Sequence, residues 1–417
     1  MESSWLTAAE AARQLGIKVS SLYAYVSRGV LTRHRVAGRR GSCFAEDEVL
    51  SLARKRRQRR APAAAEPALQ TALTLIREDG VFLRGKDICQ LAASHSYEQV
   101  VEWLWSGERR WLDAARVPDW RSTPAQLDVV ASAQRSLPEA TGNPDRLRVT
   151  VTTSALTDPF RHDLQAANVR TAGRSLICAM VEGLPSVHRK TVKPSSRRQR
   201  YARVAASLWP KLTDKPATVE LLNILNAVLV LLSDHELATS TFAVRVAAST
   251  RADPYSAVLA GLGTVAGSLH GGAGPRATEL LGRIGRPAEV VPVLADYLKH
   301  ETRVPGFGHA VYTGGDPRAV VLLDMLRRLK LSRALARRLD TAEHVIEVVS
   351  SRFGVLPNID FALATFCDIA HMPPSAAETI FSVARSGGWI AHALEEYGEQ
   401  PLRFRIRADY RGVPPEA

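Results

Sequence analysis

Histidine recurs beside glycine in this sequence. His270 stands in Gly267-Ser268-Leu269-His270-Gly271-Gly272, and His309 in Pro305-Gly306-Phe307-Gly308-His309. Imidazole changes charge near neutral pH, and glycine-flanked loops let backbone approach something small. Asp234-His235-Glu236 and Asn358-Ile359-Asp360 add acid–base groups; Arg318, Arg385 and Arg405 add fixed positive charge. Singly, each has a structural explanation. His235 could cap the helix before it, Asn-x-Asp is a common turn, and Arg385 could be a surface ion pair. His392, one turn past Trp389, reads as structural. Three histidines and an aspartate could hold a metal, but none has the i, i+3 or i, i+4 spacing of zinc motifs and the cysteines lie elsewhere. Metal binding is the weaker reading, and no metal site is expected.

Positioning these residues requires a helical scaffold. Residues 219–232 (VELLNILNAVLVLL) are apolar nearly all round and read as a buried helix. Ser375 with Glu378, after Pro373-Pro374, forms a capping box that opens a helix running to about Tyr397. Period-2 patterns are scarce, so residues 66–417 are expected to be mainly α. The 417 residues are 46% hydrophobic and 23% charged, which excludes disorder, collagen and coiled-coil filaments. That length predicts at least two domains. No apolar run approaches membrane-spanning length, and the first residues have no signal-peptide profile. Cys43, Cys89, Cys178 and Cys367 lack paired spacing, so reduced thiols and a cytoplasmic location are expected.

The formal charge of +13 is unevenly placed: residues 1–60 hold 13 Lys and Arg against 5 acids, a net +8. Thr7 with Glu10 predicts a capped helix that buries Ala8, Ala11, Ala12 and Leu15. Gly16 permits a turn, and Ser20 or Ser21 caps a second helix with Leu22 and Val26 inward. This helix-turn-helix layout, followed by a basic segment from Arg33 to Arg40, resembles MerR-type and excisionase-type modules. The resemblance implies DNA contact through Ser21, Tyr23, Arg28, Arg39 and Arg40. The expected domains are residues 1–60, ending in the Arg54–Arg60 linker, and residues 66–417. The competing reading of the first is a protein-docking module.

Taken together, the downstream blocks resemble citrate synthase. They are His235 with Ser240-Thr241-Phe242; His270-Gly271-Gly272-Ala273; Gly306 to Tyr312; Asp316-Pro317-Arg318-Ala319; Pro357 to Phe361; Arg385; and Arg405 to Tyr410. The likeness extends upstream through Gly80 to Ile88 and Glu102 to Glu108, and covers roughly residues 75–412. It implies a mainly α homodimer whose small domain, approximately 274–375, closes over oxaloacetate and acetyl-CoA or another acyl-CoA. The acyl-CoA is a co-substrate, with no other cofactor. By resemblance, Asp360 takes the thioester methyl proton and His270 hydrogen-bonds the thioester carbonyl. His309 polarises the ketone, and His235 helps bind oxaloacetate. Arg318, Arg385 and Arg405 match the carboxylate arginines, Arg405 reaching in from the partner subunit.

The sequence departs from the family at several flanking positions. The family's HGGANE continues here as Gly274-Pro275, its GFGHRVY has Ala310, and its PNVDFYSG has Ala362-Leu363-Ala364. These changes leave the acid–base groups in place and are expected to alter the pocket beside Asp360, bringing propionyl-CoA into consideration. Two functions follow: a citrate synthase-type enzyme with a regulatory or DNA-binding N-terminus, or a transcriptional regulator that uses the synthase fold as a metabolite sensor. The acid–base set favours the enzyme, because a sensor needs the arginines and not the base.

Overall fold

A computed structural model describes residues 5–15, 19–27, 31–35, 41–46, 48–50, 52, 69–114, 117–187, 203–405 and 412, without the side chains of 20, 21, 24 and 27. The chain divides into two compact units, Met1–Gln70 and Thr71–Ala417.

In the first unit, β1 (Trp5–Thr7) pairs antiparallel with β2 (Cys43–Ala45). Helix α1 (Ala8–Leu15) starts at the expected capping box: the Glu10 carboxylate accepts from the Thr7 N–H at 2.8 Å, and the Thr7 hydroxyl accepts from the Glu10 N–H at 3.3 Å. Each bond satisfies a donor that the helix start would otherwise orphan. Helix α2 (Val19–Ser27) begins before Ser20 and Ser21, so these serines lie inside the first turn and are not at the expected cap. Ala11, Ala12, Leu15, Leu22, Leu31, Phe44 and Val49 close a small core, with Ala8 and Val26 packed against it. Tyr23 is exposed. Arg28, Arg39, Arg40, the side chain of Ser21, Gly16 and the basic run at 54–60 lie outside the described residues.

The second unit is mainly α, as the period of its sequence predicts. Its described strands β3 (Thr74–Arg77), β4 (Gly80–Leu83) and β5 (Lys86–Asp87) make one antiparallel sheet in that order. Helices α3 (Ile88–Ser94), α4 (Tyr97–Ser106) and α5 (Arg110–Asp113) follow. Next come α6 (Pro124–Arg135), α7 (Asn143–Ala155), α8 (Ala166–Glu182) and α9 (Arg203–Leu212). Helix α10 (Val219–Leu232) is the expected buried helix, capped by the Thr218 hydroxyl. Its one buried amide, Asn226, accepts from the Tyr97 N–H and donates to the His95 carbonyl, so the apolar helix buries no unpaired amide.

The remaining helices are α11 (Thr239–Ser249), α12 (Pro254–Val265), α13 (Ala273–Arg283), α14 (Val290–His300), α15 (Pro317–Arg327), α16 (Arg333–Phe353), α17 (Ile359–Ile369) and α18 (Ser375–Tyr397). The expected capping box at Ser375 does not form. Pro374 already has helical φ and ψ, −52° and −37°, so Ser375 is inside the helix and no side chain caps it. A large hydrophobic core joins α10, α17 and α18; a second, built from α13, α14, α16 and one face of α17, contains Leu280, Leu281, Val345 and Phe361. The four cysteines are free thiols, three of them buried. Among the described residues no helix is long and apolar enough to cross a membrane.

Candidate active site

Three connectors and one helix start bring the histidines and Asp360 to a common region. His235 follows α10; His309 lies between α14 and α15; His270 precedes α13; and Asp360 is in the first turn of α17. The His235 and His309 rings meet edge to face at 5.4 Å, and both pack on Tyr312. The Tyr312 hydroxyl lies 2.7 Å from His235 Nε2. His309 Nδ1 accepts from the Val311 N–H at 3.1 Å, which places its proton on Nε2 as a donor toward a ligand. His270 Nε2 is 2.8 Å from the Ser240 hydroxyl, and its ring packs edge to face on Phe381.

The connector carrying His309 is braced against the start of α17. Gly308 donates to the Leu356 carbonyl, Asn358 donates to the Gly306 carbonyl, and the Asn358 amide donates to the Gly308 carbonyl. The Asn358 oxygen also accepts from the Asp360 N–H, capping α17 and fixing the approach of Asp360. Gly306 has φ +79°, and a Cβ there would sit 2.7 Å from the Phe361 Cβ, so both backbone conformation and space require glycine.

Arg318 and Arg385 are buried, with 3% and 2% exposure. Arg318 forms a fork with Asp316, Nε to Oδ1 at 3.0 Å and Nη2 to Oδ2 at 2.8 Å. Asp316 also caps α15 through the Arg318 N–H and accepts from the Ile359 N–H, so one carboxylate ties Arg318 to the helix carrying Asp360. Arg385 donates from Nε to the Leu232 carbonyl at 2.8 Å and lies over the Phe381 ring.

Electrostatics separate the acid–base groups. Desolvation raises the Asp360 carboxyl to about 6, with Arg318 opposing the rise. Desolvation, followed by nearby arginine charge, lowers all three imidazoles: Arg318 and Arg385 act on His235, Arg385 on His270, and Arg318 on His309. They are neutral donors or acceptors at pH 7, beside a carboxylate that is largely ionised there.

The predicted His235, His270, His309, Asp360, Arg318 and Arg385 are therefore brought together. Arg405 is exposed and makes no hydrogen bond among the described residues. Tyr312, Ser240 and Asp316 lay within the sequence blocks without an assigned role, and Phe381 carried no sequence signal. The altered residues Ala362, Leu363 and Ala364, just after Asp360 in α17, are fully buried in the hydrophobic cores. Gly274 does face the site: a Cβ there would lie 4.0 Å from Asp360 Oδ1. Among the described residues no cluster of His, Cys, Asp and Glu could hold a metal ion.

The "Citrate synthase, C-terminal domain" family matches residues 64–407. Citrate synthase 2 of Bacillus subtilis is 29% identical over 83% of this chain and 94% of its own length. A citrate synthase of Haloferax volcanii is 32% identical over 79% of this chain and 88% of its own. The 2-methylcitrate synthase 1 of Corynebacterium glutamicum is 28% identical over the same shares. The fold is like that of Thermoplasma acidophilum citrate synthase, solved with carboxymethyl coenzyme A and oxaloacetate, at a TM-score of 0.69 and 24% identity over 85% of this chain and 96% of that one. With the match running through every block that builds the site, the chain belongs to the citrate synthase family and is an enzyme of citrate synthase type.

Proposed function

We propose that the enzyme condenses oxaloacetate with acetyl-CoA or a slightly longer acyl-CoA. The observation that carries this reading is the convergence of Asp360, raised to about 6, with neutral imidazoles and two buried guanidinium groups. Asp360 takes a proton from the carbon next to the thioester. His270, oriented by Ser240, donates to the enolate oxygen that forms, because a carboxylate cannot remove so weak an acid without that stabilisation. The enolate carbon attacks the ketone carbon of oxaloacetate, making the C–C bond. His309 Nε2 polarises the ketone and passes its proton to the new alkoxide. Water then cleaves the thioester and releases CoA. Arg318 and Arg385 hold the carboxylates and His235 the remaining polar edge of oxaloacetate.

The second core cluster is the core of a small domain, approximately residues 274–375, that closes on the substrates. The active form is a homodimer in which Arg405 completes the partner's site. Gly274 beside Asp360 supports an acyl pocket able to take propionyl-CoA. For the N-terminal unit, the helix pair α1 and α2, the exposed Tyr23 and the +8 charge of residues 1–60 support binding to the phosphates of DNA.

Thiol release from acetyl-CoA and propionyl-CoA with oxaloacetate tests the function. Release with either supports it, and none above background at high enzyme concentration refutes it. Asp360→Ala should abolish turnover while oxaloacetate still binds; retained turnover would refute the assigned base.

A further inference from the structure

The deepest charged residues of the second unit form a chain of contacts outside the acid–base steps. Arg403 donates to both oxygens of Glu396 at 2.7 and 2.6 Å, and Glu396 also accepts from Arg245 Nε at 2.9 Å. Arg245 Nη1 donates to Glu395 at 2.6 Å and to His392 Nδ1 at 3.0 Å. A guanidinium has no acceptor, so the His392 proton sits on Nε2, which donates to Asp234 Oδ2 at 3.2 Å. The Thr74 hydroxyl donates to the same oxygen. Arg245, His392, Glu396 and Asp234 are fully buried, and Asp234 Oδ1 has no hydrogen-bond partner.

Helix α18 presents this chain on one face: Arg385, Gly388, His392 and Glu396 recur at helical spacing. The same face pins the turn after α10, with Arg385 bonded to the Leu232 carbonyl and the Gly388 N–H to the Ser233 carbonyl at 3.0 Å. A Cβ at Gly388 would fall 2.3 Å from the Ser233 oxygen and 2.5 Å from Asp234 Oδ1, so the glycine is what lets the turn lie against the helix. Asp234 immediately precedes His235. A carboxylate this dry is costly unless it is paired, and the arginine it acts on is Arg385. Among the described residues only Nε of Arg385 is committed to a protein acceptor, which leaves both terminal nitrogens for a ligand.

We propose that Asp234 and His392 are positioning residues of the dicarboxylate subsite: His392 fixes the Asp234 carboxylate and the turn that carries it, which keeps Arg385 aimed at a substrate carboxylate. The proposal rests on the reading of Arg385 as a carboxylate binder. The groups facing Arg385 are Asp234 from the turn after α10, Arg318 of α15, Tyr312 from the connector before it, Asp360 of α17, and His235 and His270 from their connectors. Desolvation lowers the Arg385 guanidinium to about 10, and Asp234 is the strongest opposing charge.

The test uses full-length enzyme and compares His392→Asn, His392→Gln, Asp234→Asn and Arg385→Leu. Asparagine keeps an acceptor near Nδ1 and loses the donor to Asp234; glutamine keeps a donor near Nε2. His392→Asn and Asp234→Asn should raise the oxaloacetate KM and Kd about tenfold, while kcat and the acyl-CoA KM stay within about threefold. His392→Gln should stay within about threefold of the parent in all three. Equal effects of Asn and Gln, or losses shared by both substrates, overturn the proposal. If His392→Asn or Asp234→Asn melts below assay temperature, Thr74→Val replaces it: a rise in the oxaloacetate KM alone supports the proposal, and no rise overturns it. An unchanged oxaloacetate Kd in Arg385→Leu refutes the reading of Arg385 itself; loss there with silent Asp234 and His392 variants refutes only the positioning.

Discussion

In the proposed reaction Asp360 and His309 take opposite halves of a proton transfer, and quite different local means set their protonation. The carboxyl is raised to about 6 by desolvation, whereas the imidazole is lowered by desolvation and Arg318 and has its proton fixed on Nε2 by the Val311 N–H. A base must be ionised to act, so activity is present above the carboxyl's titration and lost below it. With acetyl-CoA, kcat/KM should therefore fall about tenfold per unit below pH ~6 and be flat just above. A profile flat down to pH 5 would show that Asp360 does not set the rate. Much of this site was legible because its residues sit in short blocks with glycine or proline: His270, His309, Arg318 and Asp360 all stand out that way. Phe381, which both His270 and Arg385 touch, was invisible. It is one apolar residue of a long helix, and only the packing of α18 selects it.

Helix identity followed from periodicity, and helix ends did not. Residues 219–232 read as a buried helix because, apart from Glu220, Asn223 and Asn226, every one of them is apolar. At Ser375 the motif was present, but the two prolines before it start the helix early and leave the serine no capping geometry. Helix α9 starts from a side chain far away in sequence: buried Glu98 accepts from the Val204 N–H at 2.8 Å, while its other oxygen has no hydrogen-bond partner. Desolvation raises Glu98 to about 7, with the Val204 bond opposing. Between the unfolded value of about 4.3 and that folded value, the native state holds a proton the unfolded chain has lost. Glu98 thus contributes stability below about pH 4.3 and loses it as pH rises to 7, a swing of about 4 kcal/mol at most. Glu98→Gln keeps an acceptor for Val204 and cannot ionise. Denaturant midpoints at pH 5 and 8 should lie closer together in the variant than in the parent, and an unchanged gap would refute the assignment.

At the scale of the whole molecule, one catalytic body and one small basic unit share a chain, and each has hydrophobic clusters of its own. Residues 1–70 close their hydrophobic cluster through Leu15, Leu22, Phe44 and Val49. The second unit secures its own beginning: the Ala72 N–H donates to Glu395, the Leu73 carbonyl accepts from the Arg84 N–H, and Thr74 bonds Asp234. A chain cut before Thr71 keeps all three anchors and every residue of the assigned site. That body should retain thiol-release activity within about twofold and the same melting transition, since its own core and anchors stay in place. Binding to DNA should vanish with the cut, together with its steep salt dependence, because most of the excess positive charge goes with it. If the full chain binds DNA and the truncated chain binds it equally well, the basic unit is not the contact. If activity collapses on truncation while the body still melts cooperatively, the unit takes part in the catalytic cycle and is more than an appended binding module.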